Sequence, residues 1–300
     1  MTTASLSGPG NRLRARLAAP GIIVVPGVYD ALSARLAERA GFECAFMSGY
    51  GVSATKLALP DAGLISYREM LDQGRDVCAA VSIPLIGDGD TGFGNPVNVR
   101  RTVGGYHGAG FACVMIEDQV SPKRCGYARG VEVVPRAEAL MRLRAALDAR
   151  DAIRAAGGEV LVIGRTDSRV GEGFDEALWR AEAFADLGAD IVYFEGPQST
   201  AEMETLCRRV TAVPTMLAQL EKEGRAIVSP AQAEAIGYKL ALFGVTALNL
   251  TIRALRDGFA MMREGRHPGA DRLVTFDELY DTVGFPDYYA LESRYAPKGD

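Results

Sequence analysis

The sequence predicts an α/β fold of the closed (β/α)8 type, a TIM barrel, from three observations. Short apolar runs rich in β-branched residues recur along the chain, and each precedes a stretch with the three- and four-residue apolar spacing of a helix. Eight such units occupy about 230 residues, the length of one such barrel. The main alternative is a doubly wound open sheet, but its glycine fingerprint is missing after the first run, where the chain reads IIVVPGVYD.

Each predicted strand is a run of four or five mostly apolar residues. Strands that are apolar almost throughout are typical of a parallel sheet covered by helices. The predicted strands are Ile22–Val25, Cys44–Met47, Ile83–Ile86, Cys113–Ile116, Val160–Ile163, Ile191–Phe194, Val213–Leu217 and Lys239–Phe243.

Several helix boundaries are marked by capping residues. Ser66 and Ser199 each stand three residues before a glutamate, which is the pattern of a capping box. Ser229 followed by Pro230 indicates an N-cap with proline at the first helical position. Gly237 precedes the last strand and indicates a helix C-terminus.

The chain is predicted to form one domain, residues 1–300, with the barrel over about 20–248 and a helical extension over about 249–300. Two helical segments are expected in the extension, roughly Asn249–Glu264 and Thr275–Leu291. They exceed what closing a barrel requires. The extension is either a cap on the barrel or an arm for subunit assembly, and the spacing alone does not decide between them.

Composition excludes several classes of function. The net charge of −5 argues against nucleic acid or an anionic membrane surface as the main partner. The chain contains no apolar run near the ~18 to 20 residues of a membrane span, and its first residues lack the apolar core of a signal peptide. We therefore expect a cytoplasmic protein that acts on a small molecule.

Cysteine and histidine usage narrows the chemistry further. The five cysteines are odd in number and include no C-x-x-C pair, as expected for free thiols in a reducing compartment. Only two histidines are present, which argues against a histidine-rich zinc site or a Ser–His–Asp triad.

Acidic residues follow several predicted strands, where a barrel of this type forms its active site. Asp88 and Asp90 leave the third strand into a glycine-rich turn, Glu117 ends the fourth, and Asp61 lies in the loop after the second. Carboxylates brought so close repel one another unless a cation lies between them, and Mg²⁺ prefers oxygen ligands. Any one of these acids could instead be a helix cap or a salt-bridge partner.

The fifth predicted strand ends at Arg165, within the sequence IGRTD. The forked donors of an arginine suit the carboxylate of a substrate. The alternative is a structural pair with Asp167 or Glu195, and the sequence leaves both interpretations open.

Residues 118–135 form a connection much longer than the ~2 to 6 residues usual after a barrel strand. Long loops of this kind are often lids. Cys125 lies in its middle, with Lys123 and Arg124 before it and Gly126 after it. Neighbouring positive charge favours the thiolate form and suits a cysteine to proton transfer. We therefore predict a catalytic role for this segment.

The chain resembles the isocitrate lyase and phosphoenolpyruvate mutase superfamily over essentially its whole length. In pattern it is most similar to the branch of methylisocitrate lyases, dimethylmalate lyases and the petal death protein. The matching motifs, in order, are Ser48-Gly49-Tyr50-Gly51-Val52-Ser53, Pro60-Asp61, the segment DGDTGFGN from Asp88 to Asn95, Glu117-Asp118-Gln119, Lys123-Arg124-Cys125-Gly126 and Arg165-Thr166-Asp167.

The resemblance implies a Mg²⁺-dependent carbon–carbon lyase, with Mn²⁺ as a substitute, that acts on a di- or tricarboxylate. It implies that Asp88 binds the metal directly and that Asp61, Asp90 and Glu117 hold it partly through water. It further implies a homotetramer, a dimer of dimers that exchange a helix beyond the eighth strand. The remaining implied roles are substrate binding by Ser48, Gly49, Tyr50, Cys125, Gly126, Arg165, Glu195 and Arg253, and catalysis by Cys125 as proton donor with Tyr50, Lys123 and Arg124.

The sequence departs from the lyase pattern at three positions. Tyr127 stands where lyases commonly carry a histidine, and Ala218 where related enzymes place an asparagine, with Gln219 as a candidate substitute. Phe276 aligns with an arginine that binds a third carboxylate in methylisocitrate lyases. A buried carboxylate without a partner is costly, so these changes favour a smaller, malate-like substrate.

Three functions remain open on the sequence. The first is cleavage of a 2-hydroxy carboxylate, with Tyr50 or a metal-bound hydroxide as the base. The second is a different reaction at the same site: decarboxylation or hydrolysis of oxaloacetate, or phosphonate chemistry. The third is a barrel without catalytic activity that is retained for binding or assembly.

Overall fold

The computed structural model describes residues 8–126, 130–219 and 227–296, and its eight strands close into a parallel barrel in sequence order. The last strand pairs with the first, with Leu240 opposite Ile23. The predicted (β/α)8 barrel is confirmed, and the open-sheet alternative is wrong. The strands are β1 Ile23–Val28, β2 Ala45–Met47, β3 Leu85–Asp88, β4 Cys113–Glu117, β5 Leu161–Thr166, β6 Ile191–Phe194, β7 Thr215–Ala218 and β8 Leu240–Phe243.

Helices follow the strands and cover the outside of the sheet. A short π-helical turn, Ser53–Leu57, follows the third of them. The helices are α1 Pro9–Ala18, α2 Ala31–Arg39, α3 Gly49–Val52, α4 Tyr67–Ala80, α5 Pro96–Ala109, α6 Arg136–Ala155, α7 Ser168–Gly171, α8 Phe174–Leu187, α9 Thr200–Arg209, α10 Pro230–Ile236, α11 Thr246–Arg263, α12 Phe276–Val283 and α13 Phe285–Tyr295.

At the carboxyl end of the barrel, three predicted strands end before the observed ones. β3 extends to Asp88, β4 to Glu117 and β5 to Thr166, each beyond the apolar run that predicted it. Backbone pairing continues through these polar residues, as in the register of Glu117 opposite Arg165. A criterion based on apolar runs misses them because their side chains face the barrel mouth rather than the core.

Strand alternation places the core and the site in successive layers. Ile86, Met115 and Ile163 pack together inside the barrel. Because side chains two residues apart on a strand point the same way, the next inward positions on these three strands are Asp88, Glu117 and Arg165. The barrel therefore carries a layer of charged residues directly above its apolar core.

The predicted capping residues cap their helices, with one difference. Ser66 and Ser229 form complete capping boxes, and Gly237 ends α10 with a φ of 119°. Ser199 accepts from the backbone of Glu202, but the reciprocal contact is replaced. The Glu202 carboxylate instead accepts from Arg169 at 2.7 Å, so it joins two helices.

The chain divides into two compact units, Met1–Ala247 and Leu248–Asp300. In the second unit, the single segment expected over Thr275–Leu291 is divided into α12 and α13. Gly284 adopts a φ of 89° at this break, a left-handed conformation that ends α12, and a proline follows in the first turn of α13. Across the described part of the chain, every helix is too short or too polar to cross a membrane.

An ion network lies at the amino-terminal end of the barrel strands, around Asp190. Its carboxylate accepts from Arg14 at 3.0 Å, Arg150 at 2.9 Å and Arg154 at 2.8 Å. It also accepts the backbone N–H of Val162 at 3.0 Å. Burial by itself raises the pKa of Asp190, but the hydrogen bond from Arg154 and the charge of Arg150 outweigh it and hold the pKa below its usual value.

Replacing Asp190 with asparagine is expected to lower the free energy of unfolding by about 3 to 5 kcal/mol, because three guanidinium groups lose their shared counter-charge. Since the folded pKa is depressed, this stabilisation is present above the usual carboxyl pKa and is lost as the pH falls through the folded value. Urea unfolding at neutral and acidic pH measures both effects. Asp72, which pairs with Arg68 and Arg75 on the surface, is the control, and Asp72→Asn should change neither. Equal losses for the two variants would contradict the prediction.

Candidate active site

Four buried carboxylates lie at the carboxyl end of the barrel. Asp88 ends β3 and Glu117 ends β4, while Asp61 lies in the loop after β2 and Asp90 in the loop after β3. Asp88 is fixed by two backbone donors. Its Oδ2 accepts from Gly49 N–H at 3.0 Å and its Oδ1 from Asp90 N–H at 3.2 Å. A Cβ at position 49 would lie 2.8 Å from Asp88 Oδ2, so only glycine permits this approach.

Lys123 reaches from the 118–135 loop into this acidic group. Its Nζ lies 2.6 Å from Asp61 Oδ1 and 3.0 Å from Asp90 Oδ1, and the side chain is buried. Burial lowers the pKa of Lys123, but the surrounding carboxylates, Asp90 first, more than reverse this and hold the pKa well above its usual value. The backbone N–H of Cys125 donates to the Asp61 carbonyl at 3.0 Å. The loop is therefore fastened to the acids at two points.

Arg165 lies beside the acids and is held by Asp167. Its Nη2 and Nε donate to the two Asp167 carboxylate oxygens at 2.7 and 2.8 Å. Its Nε lies 3.4 Å from Glu117 Oε2 and its Nη2 lies 3.6 Å from Glu195 Oε2. The structural pair left open by the sequence is thus present, with Asp167 as the main partner. Glu195 is fixed in turn by a hydrogen bond from the hydroxyl of Tyr193.

The positive charge near these acids does not offset the effect of burial on their pKa values. Burial raises the pKa of Glu117 well above its usual value, and the nearby Arg165 only partly offsets this. Burial likewise raises the pKa of Asp90 to about 7, against the attraction of Lys123. Glu117 Oε1 is buried and has no hydrogen-bond partner within the described residues.

A hard divalent cation fits this donor set in chemical type. The donors are carboxylate oxygens, and Glu117 offers an oxygen that no described group uses. Within residues 8–126, 130–219 and 227–296, no three His, Cys, Asp or Glu side chains form a ready-made cage.

The other predicted residues occupy different settings. Ser48 caps α3 by accepting from Gly51 N–H at 3.2 Å, and Tyr50 on the same helix is partly exposed. Arg124 is exposed on the loop, and its backbone N–H donates to the Gln119 side chain. Arg253 belongs to the second unit, where it lies 3.7 Å from Asp257 on the same helix.

Of the departures from the lyase pattern, Tyr127 lies outside the described residues. Ala218 ends β7, and Phe276 begins α12 in the second unit. Gln219 does not replace the missing asparagine, because its amide group is used locally. Its Nε2 donates to the carbonyl of Val228 at 2.5 Å, and its Oε1 accepts from the N–H of Val228 at 3.3 Å.

The family described as phosphoenolpyruvate phosphomutase matches residues 13–263 of this chain. The chain belongs to this family. It is 35% identical over 288 residues to 2,3-dimethylmalate lyase of Eubacterium barkeri, covering 95% of this chain and 97% of that protein. It is also 35% identical over 301 residues to 2-methylisocitrate lyase of Aeropyrum pernix, covering 98% of this chain and 94% of that protein.

Solved structures of the superfamily superpose closely. Oxaloacetate acetylhydrolase in complex with 3,3-difluorooxalacetate gives a TM-score of 0.91 at 32% identity, covering 97% of this chain and 99% of that one. Phosphonopyruvate hydrolase in complex with oxalate and Mg²⁺ gives 0.84 at 30% identity, covering 96% and 99%. The predicted superfamily is confirmed, and so is the prediction of a carbon–carbon lyase. Members of this superfamily are metal-dependent.

Within this phosphoenolpyruvate phosphomutase fold, sequence reasoning missed the residues that hold the site in place. Tyr193 on β6 stands two residues before Glu195, which directly follows that strand, so strand alternation alone would have placed both on the inner face. Asp118 and Asp167 belong to matching motifs, but the sequence assigns no role to Asp118. The backbone N–H of Asp167 donates to Asp118 Oδ1 at 2.9 Å, which carries the contact from β4 to the end of β5.

Gly126 packs against the floor of the site. A Cβ there would lie 2.7 Å from Asp167 Oδ1 and 3.0 Å from Arg165 Nη2. Replacing Gly126 with alanine is therefore expected to push the loop outward and lower kcat/KM by about 10- to 100-fold, the scale of a displacement near 1 Å. Gly104→Ala, where an added Cβ meets nothing within 4 Å, should keep full activity. Steady-state rates with 2-alkylmalates measure this, and an unchanged rate for Gly126→Ala would refute the close fit.

Proposed function

We propose that this protein cleaves the C2–C3 bond of a 2-hydroxy carboxylate of the 2-alkylmalate or methylisocitrate type, releasing a 2-oxo acid and a carboxylate. The observation that carries the proposal is the fastening of the Lys123–Cys125 segment onto the acidic group, through Lys123 on Asp61 and Asp90 and Cys125 N–H on the Asp61 carbonyl. A loop cysteine whose backbone is fastened beside buried carboxylates suits a lyase that must protonate a carbanion.

The reaction is a retro-aldol or retro-Claisen type cleavage. A base, with Tyr50 as the protein candidate, removes the proton of the 2-hydroxyl. The C2–C3 electron pair moves to C3 as an enolate while C2 becomes a ketone, and the Cys125 thiol gives its proton to C3. Solvent returns the two groups to their starting protonation states. Closure of the 118–135 loop keeps water from protonating the enolate first.

The proposed cofactor is Mg²⁺, with Mn²⁺ as a substitute. Asp88 would hold the ion directly, and Asp61, Asp90 and Glu117 would hold it partly through water. When bound, the cation stabilises the negative charge of the substrate carboxylate and of the 2-oxygen. Asp88 suits this role because two backbone donors fix its carboxylate, and Glu117 because one of its oxygens has no described partner.

The chain's own groups position the substrate in this proposal. The N–H groups of Ser48 and Gly49 donate to the Val28 carbonyl and to Asp88, so the proposed contact of the Ser48–Gly49–Tyr50 turn with a substrate oxygen is assigned to the Tyr50 N–H. Arg165 supplies positive charge to a carboxylate from the position that Asp167 fixes. Glu195 and Gly126 complete the proposed contacts. Lys123 stays charged at neutral pH because its pKa is raised by the carboxylates around it, and with Arg124 it adds positive charge beside Cys125.

A second candidate is hydrolysis of oxaloacetate, which the TM-score of 0.91 to oxaloacetate acetylhydrolase favours. The decisive experiment incubates the protein with Mg²⁺ and a panel of 2-alkylmalates, methylisocitrate, oxaloacetate and phosphonopyruvate. Release of a 2-oxo acid is followed with a coupled dehydrogenase, and the consumption of oxaloacetate and of phosphonopyruvate is followed directly, because hydrolysis of oxaloacetate gives oxalate and acetate. Cleavage of a 2-alkylmalate or methylisocitrate supports the lyase, while activity on oxaloacetate or phosphonopyruvate alone overturns it. Silence on the whole panel, with and without metal, favours a barrel retained for binding.

We also propose a homotetramer built from helix-swapped dimers, acting in the cytoplasm. Leu255, Phe259 and Met262 on α11 expose a stripe at four- and three-residue spacing, and such apolar stripes mark interaction surfaces. Light scattering is expected to give four times the 32.0 kDa chain mass. A monomeric mass at micromolar concentration would contradict this.

A further inference from the structure

Arg180 is a fully buried arginine on α8, outside the barrel, and it contacts both ends of the 118–135 loop. Its side chain is only 2% exposed. Its Nη1 donates to Asp118 Oδ2 at 3.0 Å, where the loop begins, and to the Val134 carbonyl at 2.9 Å, where the loop ends. Its Nε donates to Glu176 Oε1 at 2.8 Å. One guanidinium group thus joins the two ends of the predicted lid.

The two ends also pair with each other. Gln119 and Val133 form an antiparallel bridge, and the Val134 N–H donates to the Asp118 carbonyl at 2.9 Å. A second buried arginine, Arg142, donates to the carbonyl of Gln119 at 2.7 Å. The base of the loop is therefore a short ribbon of defined register, held from outside the barrel.

Asp118 connects this ribbon to the barrel mouth. Its Oδ2 accepts from Arg180, and its Oδ1 accepts from the Asp167 backbone N–H at 2.9 Å. The Asp167 carboxylate holds Arg165 through two hydrogen bonds. A contiguous series of contacts thus runs from a helix outside the barrel to the arginine beside Glu117.

We infer that Arg180 is a positioning residue, which sets the register between the two ends of the lid, residues 118–120 and 132–134, and, through Asp118, the position of Arg165 in the mouth. The inference rests on the proposed function in one respect: the lid carries Cys125. The guanidinium of Arg180 donates to Asp118, Val134 and Glu176, which all lie outside the acidic group, so its effect on the reaction is indirect.

Arg150 provides a matched control. It is also buried, and its guanidinium donates to Asp151, to Asp190 and to the Gly188 carbonyl at 2.7 to 2.9 Å. These contacts lie at the opposite, amino-terminal end of the barrel. Removing it costs the fold a comparable set of hydrogen bonds without touching the lid.

The test compares Arg180→Met, Arg180→Lys and Asp118→Asn with Arg150→Met, below their unfolding temperatures. Hydrogen exchange of the backbone amides over 119–126 and 130–134 measures the lid, and steady-state kinetics with the best substrate of the panel measures the site. We expect the Arg180 and Asp118 variants to speed lid exchange and to lower kcat/KM by about 10- to 100-fold. Arg180→Lys should recover part of both effects. Arg150→Met should lower the melting temperature while leaving lid exchange and kcat/KM unchanged.

Two results overturn the inference. The first is that the lid amides of Arg180→Met and Asp118→Asn exchange no faster than those of the parent protein. The other is an Arg150→Met variant that changes lid exchange and kcat/KM as much, which would reduce Arg180 to a general stabilising role. Hydrogen exchange is measured without substrate, so failure of the proposed reaction is seen separately. In that case, lid exchange changes in the variants, but the protein turns over no substrate of the panel. Should Arg180→Met not fold, Asp118→Asn and Arg180→Lys carry the test.

Discussion

Replacing Asp88 with alanine is expected to lower kcat/KM by about 1,000-fold or more. The proposed metal site supplies several kcal/mol of transition-state stabilisation, and each ~1.4 kcal/mol is a factor of ten. Asp88 is chosen because its carboxylate is fixed by the backbone N–H groups of Gly49 and Asp90 at 3.0 and 3.2 Å. Loss of such a fixed group cannot be repaired by a neighbour that simply rotates into place.

Two measurements check this prediction. Calorimetric titration with Mn²⁺ should show binding in the parent protein and none in Asp88→Ala, independently of turnover. Chelation of the parent protein with EDTA should abolish activity, and added Mg²⁺ should restore it. Asp148→Asn is the control, since Asp148 is an exposed acid on α6, 3.8 Å from Arg100, and should keep both properties. Normal Mn²⁺ binding by Asp88→Ala would remove Asp88 from the metal site.

Replacing Cys125 with serine is expected to lower kcat by about 100- to 10,000-fold, the contribution usual for a positioned general acid. Serine keeps the size and the backbone contact to the Asp61 carbonyl but is a far weaker acid than a thiol. Substrate binding should change little, so the loss should fall on kcat rather than on KM.

The control for this variant is Cys78→Ser. Burial raises the pKa of Cys78 to about 12, so its thiol is unreactive and its loss should leave kcat unchanged. Alkylation with iodoacetamide should inactivate the parent protein and Cys78→Ser alike. Full lyase activity in Cys125→Ser would show that another group protonates the enolate.

Much of the site could be predicted from chain order alone. Asp88, Asp90 and Glu117 follow predicted strands, and a parallel barrel gathers the carboxyl ends of its strands at one mouth. The segment around Cys125 was predicted to be a lid because it is a long connection that interrupts the regular alternation of strands and helices. These features are local in sequence, and the barrel fold brings them together whatever the geometry of the individual side chains.

Other features depended on side-chain geometry that spacing does not encode. The two interpretations of Arg165 were equal on the sequence, and the observed pair with Asp167 depends on the backbone of Asp167, which leaves the extended conformation just before α7, with a φ of −106° and a ψ of 9°. Gln219 is the candidate on the sequence for the absent amide, yet its side chain binds the backbone of Val228 instead. Arg180 lies 62 residues from Asp118 in the chain, so their contact has no local signature.

The sequence by itself determined the barrel, the end of it that carries chemistry and the acidic, oxygen-rich character of the site. Apolar periodicity and strand order suffice for these, because hydrophobic burial and backbone pairing act on every residue of a strand in the same way. Only the tertiary structure decided which charges meet: Lys123 on Asp61 and Asp90, Arg165 on Asp167, and Arg180 on both ends of the lid. Those pairings depend on angles and distances of a few ångströms between segments distant in the chain, and a buried charge is stable only when its partner is within that reach.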